Sequence, residues 1–510
     1  MSSILDNRRA RLSTLFERSA MLRNSAIGAL AVALGLAGGA AVAFGPVWAG
    51  FAALLALALV YLMLRYTSVG LALALFVATI LPFGTLPFKA VITPNFLELA
   101  LLALLAVWLL RLLTRPDDAL ELTPLGLPLL GFLGVTLFSF VLGSNASPDS
   151  LTLHNYFKFV LAVLFFFSVA NCVRTPAQAR LALRLLLLGG AASALIGLAL
   201  FALPNALAEQ ILVAFGRIGY PTSGRVLRFV ADDPSGVERA IGLAVDPNSF
   251  GGMLALVGAF AVTQAVAERP LLARRWLYPM AAALALATFL TQSRGALGGL
   301  MVGTLYVATL RYRKLWWPVA GAAGLVLLLY LAFGVGGQFV TRVTEGIQFR
   351  DQANQMRLGE FQNALEIIRR YPIFGIGFGS SGPDIDLGVG VSSIYLALAE
   401  RVGLVGLFWF LGLMAAFFAR SLPAMRQAFA RHDDERGAAL LGLQAAIVAA
   451  LAVGLLDHYF FNIEFSHMVA LFWGTIGLAL TLETMNAEDR TTNGHDNRAF
   501  DLPRSLEDAH

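Results

Sequence analysis

The chain has 510 residues, of which 58% are hydrophobic and 14% are charged, and its mean hydropathy is +0.73. A composition this apolar excludes a water-soluble globular protein, because many segments must be dissolved in a lipid bilayer. The net charge of +5 does not indicate a nucleic-acid partner, because the lysines and arginines form short clusters between apolar runs, as topology signals do. The single cysteine, Cys172, excludes an intramolecular disulfide.

Apolar runs recur along nearly the whole chain. A hydrocarbon core about 30 Å thick needs roughly 20 apolar residues for each spanning helix. The sequence therefore predicts an all-α polytopic integral membrane protein with about fourteen transmembrane helices. Their predicted positions are near residues 26–44, 47–64, 68–84, 96–113, 125–142, 155–172, 181–201, 250–267, 275–291, 295–310, 316–334, 395–419, 438–456 and 467–484.

The first apolar run has an alternative interpretation. The basic segment before it and the "AVA" at 41–43 are typical of a signal peptide with its cleavage site. However, Gly45 and Pro46 lead at once into the second apolar run, which favours a tight helical hairpin.

Basic residues in the short loops predict the orientation of the chain. Cytoplasmic loops are enriched in lysine and arginine, and by this rule both termini are cytoplasmic. The predicted organisation is a cytoplasmic segment at 1–25, helices within 26–334 with an outer loop near 202–249, a large helical periplasmic loop at 335–394, helices within 395–484, and a disordered cytoplasmic tail at 485–510.

The two long outer loops contain arginines that the topology rule does not require. Long loops escape that rule, so the plainest interpretation of each arginine is solvated loop surface. The second loop also has a helical pattern, with Phe361, Leu365 and Ile368 on one face and Arg357 within it. An exposed ion pair between Arg357 and Glu360 would contribute at most about 1 kcal/mol, so stability is a poor reason for this arginine.

The stretch "RRYPIFGIGFGSSG" follows in the same loop and begins at Arg369 and Arg370. Glycines such as Gly375 and Gly377 permit positive φ and a close approach of backbone to a phosphate or sugar. They equally permit a plain turn. The first interpretation predicts a surface loop at the mouth of a site, where a wider side chain would impair turnover more than folding.

Three further polar positions are candidates for a binding site. Arg294 lies in a short connection between two apolar runs, where it either faces a polar cavity or snorkels to the interface. Asn248 precedes a span, in a segment that also fits a simple helix start. Lys158 lies inside a predicted span, so it is a functional candidate that would attract a phosphate or pair with an acidic side chain.

Four segments occur in a fixed order around the predicted large outer loop. They are "ERAIGLAVDPNSFGG" (238–252), "TQSRGALGGL" (291–300), an arginine followed downstream by "PIFGIGFG", and "SSIYLALAERVGLVGL" (392–407). Together they resemble the O-antigen ligase and O-antigen polymerase family of bacterial polysaccharide enzymes over roughly residues 236–410. The N-terminal spans match this family in general hydrophobic character.

The resemblance implies a membrane glycosyltransferase bundle in the bacterial inner membrane, with its active site facing the periplasm and with no metal or other cofactor. It implies an undecaprenyl-diphosphate-linked glycan as donor, a glycan or lipid-linked acceptor, and a flippase and a chain-length regulator as partners. In that family arginines hold the diphosphate. By position Arg239, Arg294 and Arg357 match, while Arg369 and Arg370 lie close to the motif.

One position departs from the family pattern. The ligase branch usually carries a histidine before the "YL" that ends the large loop, and Ser392 stands there in this chain. A serine is not a strong base, so the candidates for accepting a proton from the acceptor are Asp384 and Asp386, followed by Glu400. The departure favours a polysaccharide polymerase, with a ligase or a lipid-linked glycan flippase as the alternatives.

Overall fold

The computed structural model describes residues 47–86, 93–114, 121, 123–143, 149–222, 226–317, 319–321, 324, 352–379 and 390–485. This part of the chain is mostly helical. Its α-helices are α1 (Val47–Arg65), α2 (Thr67–Ile80), α3 (Phe96–Thr114), α4 (Gly126–Gly143), α5 (Ser150–Cys172), α6 (Pro176–Ala202), α7 (Asn205–Ala214), α8 (Pro247–Val266), α9 (Arg274–Leu290), α10 (Arg294–Leu310), α11 (Gln352–Arg370), α12 (Ile394–Ala430), α13 (Asp434–Val453) and α14 (Ser466–Thr484). The first predicted span, most of the span near 316–334, and the tail after residue 485 lie outside the described residues.

Seven of these helices are long and apolar enough to cross a membrane, namely α4, α5, α6, α8, α12, α13 and α14. The prediction of a polytopic, mainly helical membrane protein is confirmed at this level. The count of fourteen spans and the periplasmic placement of the large loop stay predictions.

A short hairpin departs from the all-helical expectation in the loop near 202–249. Strand β1 (Arg228–Phe229) pairs antiparallel with β2 (Glu238–Arg239). The backbone N–H of Ala240 then donates to the carbonyl oxygen of Leu290 at 2.9 Å, which ties the end of β2 to the end of α9. The hairpin therefore fixes where Arg239 lies relative to the helices.

The start of α8 is set by a capping carboxylate. Asp246 accepts hydrogen bonds from the backbone N–H groups of Asn248 and Ser249 at 2.9 and 2.8 Å, and Pro247 occupies the first helical position. A carboxylate at the helix N-cap and a proline directly after it both favour this start, because they match the unpaired N–H groups and the fixed φ of a first turn. Asn248 is thereby held in the first turn of α8.

Helix α10 packs closely on α13 through glycines. Gly295, Gly299 and Gly303 stand four residues apart and share one face of α10. A Cβ atom on Gly299 would lie 2.7 Å from the carbonyl oxygen of Ala449, and one on Gly303 would lie 2.9 Å from that of Ala445. Small residues at such a contact let two helix backbones approach, which is a common way to join helices inside a membrane.

Connections predicted to lie on the same side of the membrane meet at the same end of the bundle. We call the end that is predicted to face the periplasm the outer end, and the opposite one the inner end. Contacts at the outer end include the Arg357–Asp457 ion pair, the Thr85–Ile218 backbone bond and the packing of Gly377 on Ser139. Contacts at the inner end include the ion pairs Arg180–Glu435, Arg311–Glu268 and Arg420–Glu483.

Helix α12 is interrupted at Gly403, whose φ of 75° and ψ of −179° are not helical. Residues 371–378, which we call the strap, supply the backbone partners that the break would otherwise leave unpaired, as polar backbone buried in a bundle requires. The bonds are Ile376 N–H to Glu400 O (3.0 Å), Gly377 N–H to Arg401 O (2.9 Å) and Leu404 N–H to Pro372 O (2.8 Å). The strap is therefore bonded into the helical bundle.

The glycine contact between α10 and α13 predicts the effect of two neighbouring substitutions. In Gly299→Val the new side chain meets the Ala449 carbonyl and Val453, which we expect to destabilise the fold by about 1–3 kcal/mol. Gly298→Val is the matched control, because a Cβ there meets nothing within 4 Å. Thermal unfolding of the detergent-purified variants measures the difference. Equal melting temperatures would show that α10 and α13 are not held together by this contact.

Candidate functional site

Polar side chains from several outer-end segments converge beside α8 and α10. We call Arg239, Asp246, Asn248, Arg357 and Asp457 the arginine cluster. Arg239 comes from the hairpin, Asp246 and Asn248 from the start of α8, Arg357 from α11 and Asp457 from the connection between α13 and α14. The electrostatic field at Arg239 comes from Asp246, Asp457, Tyr459 and Arg357, so these groups share one region.

Arg239 is held by two hydrogen bonds. Its Nε donates to the carbonyl oxygen of Thr291 at 2.8 Å, and Nη2 donates to Asn248 Oδ1 at 2.5 Å. Burial lowers the pKa of the guanidinium, while the carboxylates of Asp246 and Asp457 favour its charge. An arginine oriented by a backbone carbonyl and an amide presents its remaining N–H groups in a fixed direction, which suits a planar anionic ligand.

Arg357 reaches the cluster from the amphipathic helix α11. Its Nη2 lies 3.7 Å from Asp457 Oδ1, and both side chains are largely enclosed, with exposed fractions of 17% and 4%. This is longer than a good charge-assisted hydrogen bond, so the pair is an electrostatic contact rather than a tight bidentate bridge. Among the described residues, this contact leaves most of the guanidinium N–H groups available to another partner.

Asp457 is the most enclosed carboxylate of the cluster. Its Oδ2 atom is buried and has no hydrogen-bond partner among the residues that the structure describes. This oxygen faces Gly295, because a Cβ atom placed there would lie 2.6 Å from it. Gly295 directly follows Arg294, the first residue of α10, so the helix that carries Arg294 begins beside Asp457.

Burial raises the pKa of Asp457 to about 7, with a smaller upward effect from Asp246 and Glu360, while Arg357 and Arg239 act in the opposite direction. A carboxyl group with a pKa near neutral exchanges its proton readily at physiological pH. Strongly perturbed groups of this kind are concentrated at functional sites, although structural networks perturb them as well.

A second set of groups borders the cluster on the side of the large loop. Glu360 Oε2 accepts from the backbone N–H of Ser392 at 3.0 Å, and Glu400 Oε1 accepts from that of Gly390 at 3.0 Å. The ring of His458 experiences the charges of Glu360, Asp246, Arg357 and Arg401, and burial lowers its pKa. His458 Nδ1 is also buried without a partner in the described structure.

Other predicted site residues lie apart from the arginine cluster. Arg369 and Arg370 are exposed at the end of α11, and Arg370 Nε pairs with Glu366 Oε1 at 2.8 Å within that helix. Lys158 lies on α5, where the acidic groups that act on it are Glu98 and Glu464. A role for these three cations in donor binding stays a prediction, and the described contacts do not bring them to Asp457.

The expectation of an open glycine loop at Gly375 and Gly377 is wrong in its geometry. Both glycines have positive φ, at 66° and 78°. A Cβ on Gly375 would lie 2.5 Å from the Glu400 carbonyl oxygen, and one on Gly377 would lie 2.9 Å from that of Ser139. Their lack of a side chain is therefore required by backbone packing, and contact with a substrate stays a prediction.

Asp384 and Asp386, the first candidates for the proton acceptor, lie outside the described residues. Sequence reasoning missed both Asp457 and His458 as site residues. The signal available was a pair of polar residues, Asp457 and His458, directly after a span that is predicted to end at the outer side. Among the described residues, no group of three His, Cys, Asp or Glu side chains could hold a metal ion.

Residues 279–411 match the family model described as O-antigen ligase. This match confirms the resemblance of that part of the chain to the O-antigen ligase and polymerase family. The matched region runs from α9 through the large loop into α12, so it contains Arg294 and Arg357. Arg239, Asn248 and Asp457 lie outside it. No curated protein sequence matches the chain significantly.

The raised pKa of Asp457 predicts a pH-dependent stability. Its folded value of about 7 lies above the ordinary value of 3.8, so the folded state holds this proton more tightly. The resulting stabilisation is complete below about pH 4 and is lost as the pH rises through about 7. We expect the melting temperature of Asp457→Asn, which cannot ionise, to fall less than that of the wild type between about pH 5 and pH 8.

The control for this measurement is Asp233→Asn, which removes an exposed carboxylate from an outer-end loop. Its pH dependence should follow the wild type. Parallel curves for all three proteins would mean that Asp457 ionises normally in the folded state.

The contacts of Gly375 predict a folding defect rather than a selective loss of turnover. Valine there would clash with the backbone of Glu400 and Arg401 and would be forced into positive φ. Gly412→Val, on the membrane-spanning α12 to which the strap is bonded, is the control because a Cβ there meets nothing within 4 Å. We expect the first variant, but not the second, to give a lower yield of monodisperse protein by size-exclusion chromatography. A normally folded Gly375→Val protein would restore the open-loop interpretation.

Proposed function

We propose that this protein is a membrane glycosyltransferase that transfers or polymerises a glycan carried on a polyprenyl diphosphate, most naturally undecaprenyl diphosphate. The observation that carries the proposal is the convergence of Arg239 and Arg357 at Asp457, beside the start of the helix that bears Arg294. Arg239, Arg357 and Arg294 come from three separate outer-end segments. Holding Arg239 there costs free energy, because burial disfavours its charge and Arg357 disfavours it further, while Asp246 and Asp457 offset only part of this cost.

A diphosphate ligand would offset that cost. When the glycosidic bond to a polyprenyl diphosphate breaks, negative charge accumulates on the departing oxygens. Guanidinium groups bind phosphate oxygens through paired N–H donors, and fixed donors of this kind lower the barrier because they are already oriented before the charge develops. One such donor is typically worth about 3 kcal/mol of transition-state stabilisation. The arginines would therefore act on the leaving group.

Asp457 is our candidate for the proton acceptor. An acceptor hydroxyl would attack the anomeric carbon of the donor glycan, a new C–O bond would form, and the bond to the diphosphate would break. The hydroxyl proton would pass to the Asp457 carboxylate, and the diphosphate would leave with its negative charge. Asp457 suits this step because its pKa of about 7 leaves a substantial ionised fraction at neutral pH. Asp384 and Asp386 remain the alternatives from the sequence.

We favour a polysaccharide polymerase over a ligase. In the ligase branch a histidine usually stands where this chain has Ser392, and Ser392 N–H is bonded to Glu360 here. A ligase is the second candidate, because the description of the matching family model favours it. In either case the acceptor would be a glycan or a lipid-linked glycan, and a flippase would supply the donor. A chain-length regulator would be a partner of the polymerase.

The proposed place of action is the periplasmic face of the inner membrane, with both termini in the cytoplasm. This orientation rests on the distribution of basic residues between short loops. The arginine cluster lies at the outer end, so a lipid carrier could remain in the bilayer while its diphosphate reaches the arginines. The alternative function is a lipid-linked glycan flippase, which would move the donor across the membrane without breaking a glycosidic bond.

The test is incubation of the purified protein with a synthetic undecaprenyl-diphosphate repeat unit, followed by gel and mass analysis. We expect elongated glycan and release of undecaprenyl diphosphate from the wild type. Arg294→Ala should abolish product with normal expression, and Arg294→Lys should restore little, because a lysine cannot form paired hydrogen bonds to a phosphate.

Arg313→Lys is the matched control, because Arg313 is exposed at the inner end and far from the arginine cluster. Near-normal product from Arg294→Lys would contradict a bidentate role. Transfer of the intact lipid-linked donor across vesicles without any change in its mass would replace the enzyme with the flippase.

A further inference from the structure

A polar cavity lies at the inner end of the bundle, away from the arginine cluster of the proposed transfer reaction. Its volume is about 200 Å³, enough to hold a phosphate group with several waters. It opens between the starts of α2 and α6 and the ends of α3 and α5. The residues that define it are Thr67, Trp108, Arg111, Asn171, Arg174 and Gln178.

The cavity is cationic. Among the described residues that line it, two are arginines and none is Asp or Glu. Glu121 lies at the rim, where it pairs with Arg174 Nη1, and both side chains are substantially exposed. Arginines lining a pocket between transmembrane helices on the cytoplasmic side are a common arrangement for binding anionic headgroups.

The walls of the cavity are held by hydrogen bonds rather than by mobile surface side chains. Arg174 Nε donates to the carbonyl oxygen of Asn171 at 2.8 Å, and Asn171 Oδ1 accepts from the backbone N–H of Glu121 at 2.9 Å. Gln178 Oε1 accepts from the backbone N–H groups of Arg174 and Thr175 at 2.8 and 3.1 Å. These bonds fix the turn between α5 and α6, so Arg174 is presented in a defined place.

The surroundings favour a lipid over a soluble anion. Leu109 and Leu110 follow Trp108 on α3 and are 44% and 42% exposed, so the helix surface next to the cavity faces the bilayer. Tryptophan is enriched at the level of lipid headgroups because its ring is apolar and its N–H is polar. A phosphodiester in the cavity would therefore have apolar helix surface beside it for its acyl chains.

We propose that this cavity binds the phosphate of an anionic phospholipid headgroup, such as that of phosphatidylglycerol, in the inner leaflet. Arg111 and Arg174 contact the phosphate oxygens, and Trp108 lies against the glycerol region. Bound lipid would join α3 to the turn between α5 and α6 and would stabilise the folded bundle by mass action. This site is independent of the arginine cluster at the outer end.

The test uses the full-length, detergent-purified protein with defined lipids. We expect phosphatidylglycerol to raise the melting temperature in a saturable manner, whereas phosphatidylcholine does not. In Arg111→Gln the midpoint of the phosphatidylglycerol titration should rise about tenfold, as expected when one charged hydrogen-bond donor is lost. Arg275→Gln is the control, because Arg275 is an exposed arginine at the same end, and its midpoint should stay that of the wild type.

A second measurement does not depend on stability. Phosphatidylglycerol brominated near the headgroup should quench part of the tryptophan fluorescence, and Trp108→Phe should remove that part. Equal responses to the two lipids, or an unchanged midpoint in Arg111→Gln, would overturn the proposal. A melting-temperature rise with inorganic phosphate equal to that with phosphatidylglycerol would also overturn it, because the ligand would then be a soluble anion.

Discussion

The close approach of α10 to α13 is the contact on which the outer-end site depends. Gly299 and Gly303 let the α10 backbone reach the carbonyl oxygens of α13, and Gly295 continues the same row to Asp457. With larger side chains at these positions the two helices would separate by several ångströms, since interhelical distance follows the side chains at the contact. Asp457 would then lose its neighbour on α10, and Arg294 would start from a different place.

The positive charge of the arginine cluster is only partly compensated within the cluster. Arg239 and Arg357 repel one another, and Asp457 is too buried to be fully ionised at neutral pH. A fold selected only for stability gains little from such a group, because desolvation of charges is costly and apolar replacements are often as stable. This arrangement supports the proposal of a preorganised binding site whose anionic ligand would complete the charge balance.

Much of the bundle could be predicted from the sequence because the bilayer imposes a simple rule on apolar run length. Arg239 and Arg357 could be singled out because topology does not require arginines in the outer loops, and because these two match by position the arginines of the family that the chain resembles. Asp457 could not, because it reaches Arg357 only through tertiary packing and a single acidic residue after a span resembles an ordinary helix end. The hairpin was also missed, since strands of two residues have no periodicity to detect.

The glycines of the strap were misinterpreted for a related reason. A sequence shows that Gly375 and Gly377 are free to adopt positive φ, but not which backbone approaches them. The interrupted helix α12 supplies that backbone, and the interruption itself could not be predicted, because "ERVGLVGL" reads as a continuous apolar helix.

The interruption of α12 also has a mechanical consequence. The strap continues directly from α11, where Tyr371 N–H is bonded to Ile367 O, and it is bonded to α12 on both sides of Gly403. Helix α11, the strap and the outer half of α12 thus form one continuously hydrogen-bonded body that carries Arg357, Glu360 and Glu400 together. Because the strap is bonded to Leu404 as well as to Glu400 and Arg401, a bend of α12 at Gly403 would have to break some of these bonds.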